Sequence, residues 1–461
     1  MPLETTIRMY NQQDLGDCFL LKFRLGEKNT YILIDFGSYK NDNTAREVEI
    51  AEDINRTVGD DDLTIVLTHQ HKDHLSGFLH AHDKLKGKKR TLWLSFLDDE
   101  KSEEGKTLRS ATESYWWKNK RMMTKLQSHF SDDREVSDMF NEKRGYDLFA
   151  EEQTGGDAIS KLLEIAGKNV SFLKPGNCFF LPGMDEAVKV YVLGPPFDKK
   201  QLSKLSPGVH EEVHGLNSLA ELADIDISGT LMLNALSALT DSEPYSRECD
   251  FPFCEKYINN QQILLKERYE ENAQNWRRID YEWLSEIGRL TLHMDRLTNN
   301  TSLVLAFELQ ESKKVLLFPG DAQIGNWQSW SNVNFPDSEV TAEDLLSRTI
   351  VYKAAHHSSY NATLRQSLDL MDEKELIILI PVHEKTSKSY NFAMLKPGML
   401  KGYHRKSQGR VLRSDSIEQP KDNLALEYPF IKRADLAGKL TIGPPGGGGQ
   451  DHLWIEIKVD E

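Results

Sequence analysis

LTHQHKDHLSG, Leu67 to Gly77, places His69, His71, Asp73 and His74 within six positions, directly after the apolar run Leu63 to Leu67. A short apolar run bounded by polar residues reads as a buried strand. On an extended exit, side chains two apart point the same way, so His69 and His71 can grip one ion. Asp73 and His74 follow where the chain turns and can face a second. Neutral imidazoles suit zinc, and the carboxylate adds a harder ligand that also suits manganese or iron. A lone histidine in a polar loop would be read as surface. Three histidines and an aspartate at this spacing, after a strand and before Gly77, are read as a metal loop.

The segment resembles the HxHxDH signature of the metallo-β-lactamase superfamily, a family of binuclear metal hydrolases. DLGDCFLLKF (Asp14 to Phe23) and YILIDFG (Tyr31 to Gly37) are similar to the opening strand pair of the ComEC-type hydrolase domain, associated with DNA uptake. VYVLGPP (Val190 to Pro196), NNTSLVLAFEL (Asn299 to Leu309), VLLFPGDA (Val315 to Ala322) and VYKAAHHSS (Val351 to Ser359) have similar counterparts in the same order, and VLRSDS (Val411 to Ser416) resembles its closing strand. The resemblance covers the two ends of the chain and hardly touches the middle. It implies an αββα sandwich, within the α/β (α+β layered) class, and two divalent ions, zinc or manganese.

The 461 residues, 39 % of them hydrophobic, suffice for a sizeable core. No apolar run is long enough to cross a membrane, and MPLETTIRMY lacks the basic and apolar regions of a secretory signal. The expectation is a soluble, cytoplasmic relative of the ComEC type with no membrane contact. Four cysteines fit a reducing compartment. Cys18 and Cys178 sit in strand-like text and read as buried core thiols. Cys249 and Cys254 lack the two further Cys or His that a metal knuckle needs. A formal charge of −15 opposes indiscriminate nucleic-acid binding, so any DNA track must be local.

Composition divides the chain into five stretches. Residues 1–97 read as strands and turns ending in the metal loop, with a hairpin turn at Gly26 to Asn29. Residues 98–168 are charged and helix-forming, residues 169–198 return to strands, residues 199–292 form a second helical insertion, and residues 293–461 complete the core. Layer logic agrees, since short apolar strands alternating with amphipathic helices make sheets covered by helices. PPGGGG, from Pro444, is a flexible turn, and LWIEIKV alternates as a half-buried final strand.

Further ligands come from later strand ends. Asp321, after Val315 to Phe318 and Gly320, matches the family's bridging aspartate. Of His356 and His357, the first histidine after the strand is expected to be the last ligand and the second to line the pocket, because adjacent side chains on an extended segment diverge. Family text here usually reads HHGS, and Ser358 replaces that glycine. Where many members carry a third-motif histidine this chain has Asn299 and Asn300, with His293 upstream. Asn300 is taken as a hard oxygen ligand, with Asn299 and His293 as alternatives. Asp35 matches a position that supports the ligand imidazoles from behind. Lys353 either meets a substrate phosphate or snorkels to the surface.

Water held between two divalent ions loses a proton near neutral pH and becomes a nucleophile. Asp73 is placed to orient it and take its proton, with His357 or Lys353 steadying the leaving oxygen. Three functions follow: a phosphodiesterase or nuclease acting on DNA; a lactone, thioester or nucleotide hydrolase on the same metal core; or a partner-dependent or vestigial subunit of a larger complex. SYWWKNKR interleaves Trp117 with Lys118, Lys120 and Arg121, a pattern that holds single strands, although an amphipathic helix face would look the same. NWRRIDYEW, Asn275 to Trp283, is read alike, and both helical stretches can dock a protein partner. Changing Lys118, Lys120 and Arg121 together to Glu is expected to weaken binding of single-stranded DNA in a filter or anisotropy titration; unchanged binding removes the patch from substrate contact.

Overall fold

The computed structural model describes residues 2–40, 43–87, 89–110, 145–204, 297–359, 362–389, 394–416, 439–445 and 451–459, with side chains of 145–155 not described. The chain divides into two compact units. One comprises Met1–Ala111, Ala150–Leu219 and Arg296–Glu461, and the other Thr112–Phe149 and Ala220–Asp295. The fold below belongs to the first. Trp117, Lys118, Lys120, Arg121, Cys249, Cys254, Asn275 to Trp283, His293 and most of the two expected helical insertions lie outside the described residues.

Two mixed sheets carry the unit. The first runs in the order β14 (Leu440–Ile442), β15 (Trp454–Val459), β1 (Leu3–Tyr10), β2 (Cys18–Leu25), β3 (Lys28–Phe36), β4 (Asp62–Val66), β5 (Arg90–Ser95), β6 (Val170–Leu173). The second runs β13 (Val411–Arg413), β12 (Ile377–Ile380), β11 (Thr349–Lys353), β10 (Val315–Phe318), β9 (Val304–Leu309), β8 (Val188–Gly194), β7 (Cys178–Phe180). Each sheet is antiparallel on one side and parallel on the other. The change falls at β3, antiparallel to β2 and parallel to β4, and at β10, antiparallel to β9 and parallel to β11. The hairpin between β2 and β3 pairs Leu25 with Lys28 across Gly26 and Glu27, close to the expected turn.

Alternation along the strands sorts side chains to two faces of each sheet. One face of each forms a shared core: Ile7, Phe19, Phe23, Ile32 and Ile34 from the first sheet meet Val190, Leu305, Phe307, Leu316 and Phe318 from the second. The outer face of the first sheet buries Leu20, Leu33, Leu63, Ile65 and Leu92 against α1 (Thr44–Val58), α2 (Lys72–Ala81) and α3 (Gly145–Ala166). Beyond β8, α4 (Lys199–Leu202) leads to Lys204, whose carbonyl accepts from Gly325 N–H at 3.2 Å. Across the outer face of the second sheet lie α5 (Ile324–Ser329), α6 (Ala342–Ser347), α7 (Arg365–Leu370) and α9 (Pro397–Lys406), with α8 (Glu384–Ser389) between the last two in sequence. They cover Tyr191, Ala306, Leu317 and Tyr352 with Trp327, Leu345, Leu368 and Met399. Helix, sheet, sheet, helix is thus the order of layers, as expected from the sequence.

The final alternating strand, β15, returns to pair antiparallel with β1, Tyr10 opposite Trp454. Cys18 is buried, but Cys178, on the edge strand β7, is only half-buried, because an edge lacks a neighbour on one side.

The strand directions bring chemistry to one edge. Asp35 lies in β3 near its carboxyl end, and Leu67 to His71 leave that end of β4. Asp321 follows β10, and His356 and His357 follow β11. Since β2 and β9 run the opposite way, their beginnings, Asp17 and Asn299 to Ser302, reach the same edge. Leu303 N–H donates to Thr68 O at 2.8 Å and ties the two sheets together there. Close backbone approach makes this possible. A Cβ on Gly37 would lie 2.5 Å from Leu75 N and Lys72 O, and one on Gly16, at φ +152°, would lie 2.1 Å from Gly37 O. Gly37→Ala is therefore expected to lift the first turn of α2 and cost about 1–3 kcal/mol in urea unfolding. Gly156→Ala, where a Cβ meets nothing, should be neutral or add up to about 1 kcal/mol.

Candidate metal centre

Asp73 and His74 do not lie in a loop; they form the first turn of α2, which begins at Lys72. A carboxylate is stable there because helix N-termini present positive dipole ends. His74 is fully buried, and its Nδ1–H donates to Asp35 at 2.8 Å, turning Nε2 inward. His357 does the same from the other sheet: Nδ1–H donates to Pro381 O at 2.7 Å and Nε2 lies 2.8 Å from Asp73 Oδ2. Asp321 Oδ2 closes the group, 3.2 Å from His74 Nε2 and 3.7 Å from His357 Nε2, while Asp73 Oδ2 stands 3.8 Å from His74 Nε2. Four ligands around a tetrahedral ion at usual zinc distances are about 3.3 Å apart. The four atoms bracket that spacing, and His74 Nε2 is buried with no hydrogen-bond partner. The donor set fits a divalent ion.

Asp17, His74, Asp321 and His357 are all buried, with one potential ligand atom from each lying within 4.8 Å of the others. This group can hold a metal ion. Asp17 approaches it from the rear, 3.7 Å from His74 Nδ1 and 3.5 Å from His357 Nδ1, the nitrogens turned away from Asp73. Nothing in its local text, a polar link before β2, marked Asp17 in advance.

Asp35, at φ +54°, supports the imidazoles as expected. Besides His74 it accepts from Thr68 N–H at 2.8 Å and from the Thr68 hydroxyl at 2.7 Å. With that proton spent, Thr68 Oγ1 accepts from His69 Nδ1–H at 3.0 Å, and His69 Nε2 keeps its lone pair. His69 Nε2 and His71 Nδ1 are 3.0 Å apart, so this pair converges as the spacing predicts.

Three expectations need correction. The chain enters three consecutive left-handed residues at His356, His357 and Ser358, with φ of 46°, 49° and 67°, which reverses the alternation of an extended segment. His357, not His356, therefore enters the cluster. His356 stands between Asn299 Nδ2 at 3.3 Å and Gln323 Nε2 at 3.4 Å, while its backbone N–H donates to Asp321 Oδ1 at 3.0 Å. A neutral imidazole accepts at one nitrogen only, so one amide must present oxygen; turning Asn299 gives its unpartnered Oδ1 the Nε2–H. Asn300 is not placed to ligate: its amide donates to Leu202 O and Lys204 O at 3.1 and 2.8 Å, and its oxygen accepts from Asn326 N–H at 3.2 Å. Lys353 neither reaches a substrate nor snorkels. It is buried, its ammonium spent on Asp17 at 2.5 Å, Gly320 O at 2.7 Å and Asp321 Oδ1 at 2.8 Å. Lys353 and the buried His357 are thus removed from the leaving oxygen.

Electrostatics follow from this crowding. Burial pushes His357 down, but Asp321, Asp73 and Asp17 overcome it and raise it to about 9. His74 is raised against burial by the same carboxylates together with Asp35. Burial opposes ionisation of Asp321, yet Lys353, His74 and His357 hold it well below the usual range. Burial also lowers His69, with His74 and His71 adding to the effect. The carboxylates thus hold positive charge where an ion would sit, and metal binding would displace protons.

No protein-family model matches the chain, and no curated protein matches it. Asp35→Ala removes the acceptor for both Thr68 and His74 and is expected to weaken metal binding about 10–100-fold, read by calorimetric titration.

Proposed function

We propose that this protein is a metal-dependent hydrolase of the metallo-β-lactamase superfamily, acting with two divalent ions, zinc or manganese, as a phosphodiesterase or nuclease on DNA. The observation that carries the reading is the convergence of His74 Nε2, His357 Nε2, Asp73 Oδ2 and Asp321 Oδ2 beside the His69–His71 pair. The ComEC-type text in the sequence supports DNA as substrate.

Ions bound there would supply Lewis acidity and an activated water. His74 and His357 would hold one ion, with Nδ1 anchored so that neither ring can turn. Asp321 would present Oδ2, its other oxygen being fixed by Lys353 and the His356 N–H. Asp73 is the most exposed of the four, its side chain 16 % accessible against 0–1 % for the others. It is the member of the cluster that can meet an incoming group and take a proton. Phosphoryl oxygens would gain their positive partners from the ions, since Lys353 is spent on buried acceptors.

Cleavage of single- and double-stranded DNA with manganese, zinc or magnesium tests this reading, with His69→Ala/His71→Ala as control. Metal-dependent cutting that the control lacks is the expected result. Turnover of lactones or thioesters with no cutting of DNA would instead favour the small-molecule hydrolase. Asp73→Asn with metal retained is expected to lose at least about 100-fold in turnover; full activity would remove Asp73 from proton transfer.

A further inference from the structure

We infer that the two ion positions are unequal: the first is complete in protein ligands, and the second, on the His69–His71 pair, is completed by the substrate's phosphate. This rests on reading the cluster as a metal centre. The first position has two imidazole nitrogens and two carboxylate oxygens already aimed at one another. Both imidazoles are locked from behind by Asp35 and Pro381 O. The second has His69 Nε2 and His71 Nδ1, held 3.0 Å apart.

What it can borrow is limited by Lys353. An ammonium has three protons, and all three are directed to Asp17, Gly320 O and Asp321 Oδ1. Asp321 Oδ1 takes the Lys353 proton and the His356 N–H together, which leaves Oδ2 alone facing the cluster. A carboxylate with both oxygens available can give one to each ion; here the ions must share one oxygen. Asn300, in the position expected to supply a third-motif ligand, is committed to Leu202, Lys204 and Asn326. Among the described residues the second ion thus has two nitrogens and a shared oxygen, and it keeps room for an anionic oxygen from outside. Divalent affinity rises steeply with the number and charge of ligands. Lys353 is a positioning residue in this scheme.

The test is calorimetric titration of metal-free protein with manganese, with metal content measured independently. Wild type is expected to bind one ion tightly and a second at least about 100-fold more weakly. Dimethyl phosphate, which carries the substrate's anionic oxygens, should tighten the second. His69→Ala/His71→Ala should keep the tight ion and lose the weak one. Asp17→Asn/Lys353→Met removes both charges of the buried pair, leaves Asp321 Oδ1 only the His356 N–H as donor, and should tighten the weak ion about tenfold. His293→Ala should leave both affinities unchanged. Two ions of equal affinity, a second ion lost in His293→Ala, or one indifferent to dimethyl phosphate would overturn the inference. An unchanged weak ion in Asp17→Asn/Lys353→Met would overturn the part given to Lys353. Wild type that binds no manganese or zinc would instead overturn the metal reading itself, so the two failures are distinguishable.

Discussion

Four carboxylates, Asp17, Asp35, Asp73 and Asp321, crowd one edge of the sandwich, three of them no more than 2 % accessible. Charges taken from water must be compensated where they sit. Much of the local architecture follows from that need. Lys353 lies inside the sheet edge rather than on the surface because Asp17 and Asp321 hold it there. Thr68 gives Asp35 two protons, and the imidazoles of His74 and His357 face carboxylates on both of their nitrogens or on one of them and a carbonyl. A divalent ion could complete the same balance more compactly than protons can.

Backbone conformation pays toward the same arrangement. Asp35, His356, His357 and Ser358 all have φ between 46° and 67°, which costs roughly 1–3 kcal/mol each for residues with a Cβ. Such conformations persist only where the surroundings determine them. Here the determinants are two stiff sheets joined at Leu303 and Thr68, and the His356 N–H fixed on Asp321. Ser358 is informative because its φ of 67° suits a glycine better than a residue with a Cβ. The turn keeps its shape although the residue does not favour it.

This explains what could be read in advance. The histidine-rich segment, Asp35, Asp321 and the strands around them were legible because each signal is local: an apolar run, then polar candidates at fixed spacing. The layered order was legible because short apolar strands such as β4 and β10, the alternation along β15 and the apolar stripes of the helices are local too. The exchange of His356 and His357 was not, since alternation assumes an extended backbone and the chain turns left-handed there. Asn300 looked like a ligand because of its place just ahead of β9, in text read as a third motif; only the fold shows Leu202 and Lys204 waiting for its amide. Asp17 and Lys353 are 336 positions apart in the numbering, and no spacing rule connects them.

On the proposed reading, a formal charge of −15 and a substrate rich in phosphate would be at odds unless the protein localised positive charge. Basic side chains could have done so, but the one lysine in the cluster is sealed by its three acceptors and offers no proton outward. Loaded with ions, the carboxylates of the cluster would become anchors for the charge that attracts phosphate. On that reading substrate binding and metal binding would be linked: each would be stronger when the other is present, and an acidic protein would gain an anion site that exists only in its metal-bound state.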